Sequence, residues 1–173
     1  IVPSKRLSQA SSQTSASSQG GGVSRQSLFV PPASSLNGIK NSGTLTLENV
    51  VISGIDGLNQ DGGAIANLGT LTIRSSRLEN NSTDGNGGAI ASAGTLIVED
   101  STLRGNAARD GGAILVEEGS ATIRNSLLAS NTATSGGGLF TQGGNTVVRH
   151  STLSGNSASG DGGGIFRSGG TLR

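Results

Sequence analysis

A motif that returns every 24 to 26 residues constrains this chain more than any other feature. Gly-Gly-Ala-Ile starts at Gly62, Gly87 and Gly111 and recurs as Gly-Gly-Gly-Leu at Gly136 and Gly-Gly-Gly-Ile at Gly162. Its large apolar residue falls at Ile65, Ile90, Ile114, Leu139 and Ile165. A second motif follows each time: Gly69-Thr70-Leu71-Thr72-Ile73, Gly94-Thr95-Leu96-Ile97-Val98, and looser copies at Gly119 to Ile123 and Gly144 to Val148. An earlier copy, Gly43 to Leu47, has no recognisable Gly-Gly-Ala-Ile before it. The third motif is Leu-x-x-Asn, from Leu78 to Asn81, Leu103 to Asn106, Leu128 to Asn131 and Leu153 to Asn156, with the asparagines 25 apart. In the first copy Ile52 to Ile55 stands there, without the asparagine.

Each apolar run is short, rich in β-formers and bounded by glycine or asparagine, and no stretch from Gly43 onward has helical periodicity. Alternation in Thr-Leu-Thr-Ile puts the aliphatic residues on one face and the threonines on the other. About 25 residues suffice for three short strands and three turns. These features predict an all-β fold, a right-handed parallel β-helix (solenoid) of roughly five coils. Right-handed winding follows from the handedness of parallel-strand crossovers. Each strand would lie beside its own copy at ~4.8 Å, so that five copies rise ~24 Å.

Composition supports a regular array over an ordinary core. Glycine is 30 of 173 residues, aromatics are 2%, and Trp, Tyr, Cys and Met are absent. Such a chain buries area with small and β-branched side chains, and glycine supplies sharp corners. Stacked, Ile65, Ile90, Ile114, Leu139 and Ile165 form a core column. Asn81, Asn106, Asn131 and Asn156 form a corner ladder, in which asparagine tolerates the left-handed conformation and its amide donates to one coil and accepts from another. The column Ala66, Ala91, Leu115, Phe140 and Phe166 neighbours the core column. On a regular strand it faces outward, making Phe140 and Phe166 a candidate contact surface; a bend that buries both columns is the alternative.

Residues 1–36 read as a Ser/Gln/Gly-rich linker or N-terminal cap, within which Ser27 to Pro32 is suited to docking on the first coil. Residues 37–173 read as the β-helix repeat domain, and an end in mid-motif at Arg173 suggests a chain truncated at its C-terminus. The formal charge is +1, from 12 basic and 11 acidic residues without a basic block, which argues against nucleic acid as the partner. No apolar run has the length of a membrane span.

Catalysis on such a scaffold requires clustered carboxylates, with a cation or a basic residue for lyases. Asp61, Asp110 and Asp161 share one repeat position, but Asn86 and Ser135 intervene, leaving the aspartates ~10 Å apart. They read as turn residues, with weak Ca²⁺ binding as the sharper alternative; no catalytic, cofactor or metal residue is assigned. Glu48, Arg74, Glu99, Arg124 and Arg149 follow one position through five coils and read as a solvated charge column, or as a site for glycan carboxylates. His150, the single histidine, reads as a surface residue. Thr44-x-Thr46 and Thr70-x-Thr72 begin an array like those of ice- or surface-binding solenoids, which decays to Thr95-x-Ile97 and Asn145-x-Val147.

Gly-Gly-Ala-Ile paired with hydrophobic-x-x-Asn resembles the repeat of chlamydial polymorphic outer membrane proteins, and similar repeats occur in other bacterial surface proteins of the pectate-lyase-like superfamily. The resemblance covers roughly residues 43–170. It implies a passenger segment of a surface-displayed or autotransported adhesin, extracellular or at the bacterial outer membrane, with a host surface protein or glycan as partner. Self-association through the apolar column or open coil ends is a further expectation. A fragment of a polysaccharide lyase or glycoside hydrolase is the alternative.

Overall fold

A computed structural model describes residues 38–173. The first coil contains β1 (Ile39–Asn41), β2 (Thr44–Glu48) and β3 (Val51–Ser53); the second β4 (Ile65–Asn67), β5 (Thr70–Arg74) and β6 (Arg77–Glu79). The third contains β7 (Ile90–Ser92), β8 (Thr95–Glu99) and β9 (Thr102–Arg104). The fourth has β10 (Ile114–Val116), β11 (Ser120–Arg124), β12 (Leu127–Ala129) and a short β13 (Thr132–Ala133). The fifth has β14 (Leu139–Thr141), β15 (Asn145–Arg149), β16 (Thr152–Ser154) and β17 (Ser157–Ala158), followed by β18 (Ile165–Arg167) and β19 (Thr171–Leu172). Three parallel sheets result, β1-β4-β7-β10-β14-β18, β2-β5-β8-β11-β15-β19 and β3-β6-β9-β12-β16, hereafter the first, second and third sheets. Single bridges linking Asp56, Ser82, Ala107 and Thr132 trace a fourth, thinner side of the coil that widens into β13-β17. The proposed linker or cap over residues 1–36, with Ser27 to Pro32, lies outside the described residues.

The register equates the positions that the repeat equates. Ile65, Ile90, Ile114 and Leu139 stack directly and are fully buried, and Ile165 continues the column half-buried. Leu71, Leu96 and Ala121 stack beside Ile73, Val98 and Ile123, and Leu78, Leu103 and Leu128 close the triangle from the third sheet. The first coil does have its counterpart to the Gly-Gly-Ala-Ile residue: Ile39 pairs with Ile65. Sequence reading missed it because Gly38-Ile39 lacks the second glycine and the alanine.

The two glycines of each motif serve different ends. Gly87, the first, has φ of 67°, a left-handed turn that feeds the strand. Gly88, the second, is in no special conformation, but a Cβ there would lie 2.2 Å from the Gly112 carbonyl oxygen and 2.6 Å from that of Ala107. Neighbouring coils therefore touch backbone to backbone at this point.

The corner between the first and second sheets is built in two ways. In the first coils Asn41 and Asn67 span it, donating from Nδ2 to Thr70 O and Thr95 O in the following coil at 3.0 Å. From the fourth coil the corner gains one residue, as in Glu117-Glu118, and Gly119, Gly144 and Gly170 turn it with φ near 70°. Val116 and Thr141 then replace the asparagine.

The column Ala66, Ala91, Leu115, Phe140 and Phe166 lies outside the main core, and its members from Ala91 onward form a cluster of their own, in which the Phe140 and Phe166 ring centroids are 5.3 Å apart. This column is nonetheless covered: Leu115 is 1% and Phe140 9% exposed, and Phe166 is half-buried. The glycine turns pack against it, as the approach of Gly136 and Gly162 to the Cβ atoms of Phe140 and Phe166 shows. Phe140 is thus packed into a second layer, because the turn preceding the strand folds over its outer face, while Phe166 keeps part of its surface open.

Two substitutions test this packing. Gly88→Ala drives a methyl into two carbonyls and is expected to destabilise by about 3 kcal/mol, read from chemical denaturation. Thr146 occupies the inward column of Leu71, Leu96 and Ala121 with its hydroxyl buried and without a hydrogen-bond partner among the described residues. Thr146→Val is expected to stabilise by about 1 kcal/mol in the same measurement.

Candidate functional site

Two polar ladders run through the coil beside the apolar columns. Asn81, Asn106 and Asn131 are fully buried and Asn156 is half-buried. Nδ2 of Asn81 donates to Oδ1 of Asn106 at 3.0 Å, that of Asn106 to Asn131 at 2.9 Å, and that of Asn131 to Asn156 at 2.9 Å. The second Nδ2 proton goes back one coil, from Asn106 to Leu78 O and from Asn131 to Leu103 O, both at 3.0 Å. Each Oδ1 also accepts the main-chain N–H of the preceding coil, including that of Ile55 at 3.1 Å in the coil without the asparagine. One side chain thus makes four hydrogen bonds, two to main-chain groups that the corner would strand in the interior and two to the amides of its neighbours in the ladder.

The ladder asparagines are not themselves left-handed, contrary to the expectation from sequence. The residue before each one, Asn80, Gly105, Ser130 or Gly155, takes that conformation, as does Gly54 before Ile55 in the first coil, with φ between 54° and 68°. The ladder residue must aim its amide along the stack, so the reversal falls one position earlier.

A serine ladder turns the corner between the second and third sheets, and sequence reading did not single it out. Ser76, Ser101, Ser126 and Ser151 accept the main-chain N–H of Val50, Ser76, Ser101 and Ser126 at 3.1 to 3.2 Å. Each hydroxyl donates to the carbonyl two residues before it, at 2.6 to 2.9 Å. The signal was a 25-residue spacing two positions before each repeat leucine, hidden among many other serines. Immediately before the serine-ladder position, Asn49, Ser75, Asp100, Asn125 and His150 form a left-handed ridge with φ between 46° and 55°.

Beside this ridge the charge column is in register, Glu48, Arg74, Glu99, Arg124, Arg149. Glu99 lies between two arginines, 3.0 Å from Arg74 Nε and 2.9 Å from Arg124 Nη2, and its side chain is 10% exposed. The Arg124 hydrogen bond, reinforced by Arg74 and opposed by burial, holds the Glu99 carboxyl below its ordinary range. Arg149 continues the column next to Arg124, exposed and without an ion-pair partner among the described residues; His150 beside it is exposed at the ridge.

The recurring aspartates are not brought together. Asp61 Oδ1 accepts the main-chain N–H of Asn86 at 2.8 Å, linking one turn to the next. Asp110 lies 3.5 Å from Arg109. Across the outer face of the first sheet, burial pushes the Glu117 carboxyl up, with the charges of Asp61 and Glu118 adding to the effect. No group of three or more His, Cys, Asp or Glu side chains suited to a metal ion occurs among the described residues. No helix there is long and apolar enough to cross a membrane.

The family model of the right-handed β-helix region matches residues 37–172, nearly the whole of the stacked array. The chain belongs to the right-handed β-helix family. No curated protein and no solved structure matches it. Membership agrees with the parallel register of every sheet and with the crossover rule for parallel strands.

Asn106→Leu tests the ladder: it strands the amide and main-chain N–H of Asn81 and is expected to cost at least about 3 kcal/mol, with Asn156→Leu costing less because that end is half-exposed. Glu99 gives a pH test. Its lowered pKa means that the pairing stabilises the fold above the ordinary value of 4.5 and is lost as pH falls through the folded value. Melting curves should show wild type above Glu99→Gln at neutral pH, with the gap closing on acidification; a gap that does not vary with pH would contradict the pairing.

Proposed function

We propose that this β-helix is a scaffold segment of a secreted or surface-displayed protein, adhesin-like in role, whose outer faces contact a host surface protein or glycan. The carrying observation is the contrast between inward and outward columns. Three inward columns, those of Ile65, Leu78 and Asn81, keep their chemistry from coil to coil. Outward positions do not: Val51, Arg77, Thr102, Leu127 and Thr152 share one column, and Glu48, Arg74, Glu99, Arg124 and Arg149 another. Such a rod holds a varied surface rigidly, which suits partner contact, since preorganised side chains lose little freedom on binding. The resemblance of Gly-Gly-Ala-Ile and hydrophobic-x-x-Asn to the polymorphic outer membrane protein repeat supports the same reading.

The test is binding of the labelled 173-residue chain to cultured epithelial cells, before and after protease or glycosidase treatment. Saturable binding abolished by one treatment is expected. Absence of binding, together with release of unsaturated uronides or new reducing ends from acidic polysaccharides, would transfer the chain to the lyase or hydrolase class.

A further inference from the structure

In the second coil the corner of the asparagine ladder carries another asparagine on its outside. Asn80-Asn81-Ser82-Thr83 holds two overlapping Asn-x-Ser/Thr triplets, Asn80 with Ser82 and Asn81 with Thr83. No other asparagine of the chain has a serine or threonine two residues on. Such a triplet is an acceptor for N-linked glycosylation when it lies on an exposed turn of a secreted protein.

The structure separates the two. Asn81 is fully buried, and its Nδ2 donates to Ile52 O at 3.2 Å and to Asn106 Oδ1 at 3.0 Å. The Thr83 hydroxyl of its triplet is engaged as well, donating to Leu58 O and accepting the Gly85 N–H. A sugar on Asn81 would take a ladder proton and force a bulky polar group into the interior, so a chain modified there cannot close the coil. Asn80 is exposed and reverses the chain with φ of 54°. Its place in the stack is open on both sides. The equivalent turn residues are Gly54 in the coil before and Gly105 in the coil after, with φ of 68° and 66°. Neither has a side chain to crowd the Asn80 amide: a Cβ at Gly105 would lie 2.5 Å from Asn80 Oδ1. Ser82 lies just past the corner, half-buried, and bridges through its main chain to Asp56 and Ala107.

We infer that Asn80 is the acceptor of an N-linked glycan, with Ser82 supplying the hydroxyl that a transferase recognises. This rests on the secreted or surface-displayed reading and adds a modification to the rod's outer surface. In the transfer, Asn80 Nδ2 attacks the anomeric carbon of a sugar diphosphate donor. The new C–N bond forms as the C–O bond to the diphosphate breaks. The diphosphate leaves with the electron pair, and the amide proton passes to a base of the transferase. The glycan then projects from the corner beyond the third sheet, while the neighbouring Asn81 keeps its place in the ladder.

The experiment directs the 173-residue chain through the secretory route of yeast behind a cleavable leader. Intact mass is measured, and the attachment site is mapped after peptide-N-glycosidase, which leaves aspartate where the sugar was. One glycan per folded chain, at Asn80, is expected. Asn80→Gly introduces the residue that Gly105 and Gly155 supply at this turn; it should remove the glycan and leave the melting temperature unchanged. Ser82→Ala, with the residue type of Ala107 in the same register, should also remove it, whereas Thr83→Val should not. A secreted, folded chain without sugar would overturn the site and leave the scaffold reading intact. Sugar at Asn81, or sugar that survives Ser82→Ala, would overturn it equally. A chain that stays in the cell without sugar would overturn both the site and the secreted reading on which it rests.

Discussion

The hydrogen bonds that asparagine and serine side chains make along the stack are the condition for everything else in this fold. A coil of 25 residues with three sharp corners brings main-chain N–H and C=O groups into the interior where strand pairing cannot reach them. Unpaired, each would cost on the order of 1–3 kcal/mol, and the loss would recur in every coil. The Asn106 side chain satisfies two such groups, the Asn81 N–H and the Leu78 carbonyl, while pairing with the amides above and below it, and the Ser101 hydroxyl satisfies two more, the Ser76 N–H and the Glu99 carbonyl. The same repetition that multiplies the difficulty supplies its remedy, since each amide finds its own copy one coil away.

Apolar packing then completes the interior with modest means. Ile, Leu and Val columns fill the triangle, and the absence of Trp and Tyr costs little when identical side chains stack directly. The glycine turns close the outer face of the first sheet over Ala91, Leu115 and Phe140, so that a short strand buries both of its faces. Only the second and third sheets leave whole columns to solvent, and it is there that residue identity varies from coil to coil.

Much of this was legible in the sequence because a stacked coil converts period into contact. The spacing of Ile65, Ile90 and Ile114 and of Asn81, Asn106 and Asn131 gave the sheets, their register and the amide ladder between coils. What escaped is equally instructive. Ile39 was missed because a terminal coil needs only half of the motif. The Ser76 to Ser151 ladder was missed because serine is common on surfaces, so its period had no contrast. The left-handed residue was placed one position late because composition cannot tell whether Asn80 or Asn81 reverses the chain. The covering of Phe140 was not resolved because alternation alone does not report what a preceding turn packs against.

If the interior ladder governs stability, its side-chain amides must be as protected as the backbone they satisfy. Hydrogen exchange of asparagine Nδ2 protons, followed by nuclear magnetic resonance, measures this directly. The Asn106 and Asn131 amides should exchange only with global unfolding, as slowly as the main-chain N–H of Ile114, while the exposed Asn125 amide exchanges at the rate of free solvent contact. Rapid exchange at Asn106 and Asn131 in an otherwise protected β-helix would show that the ladder opens independently, and would contradict its role as the element on which the coil depends.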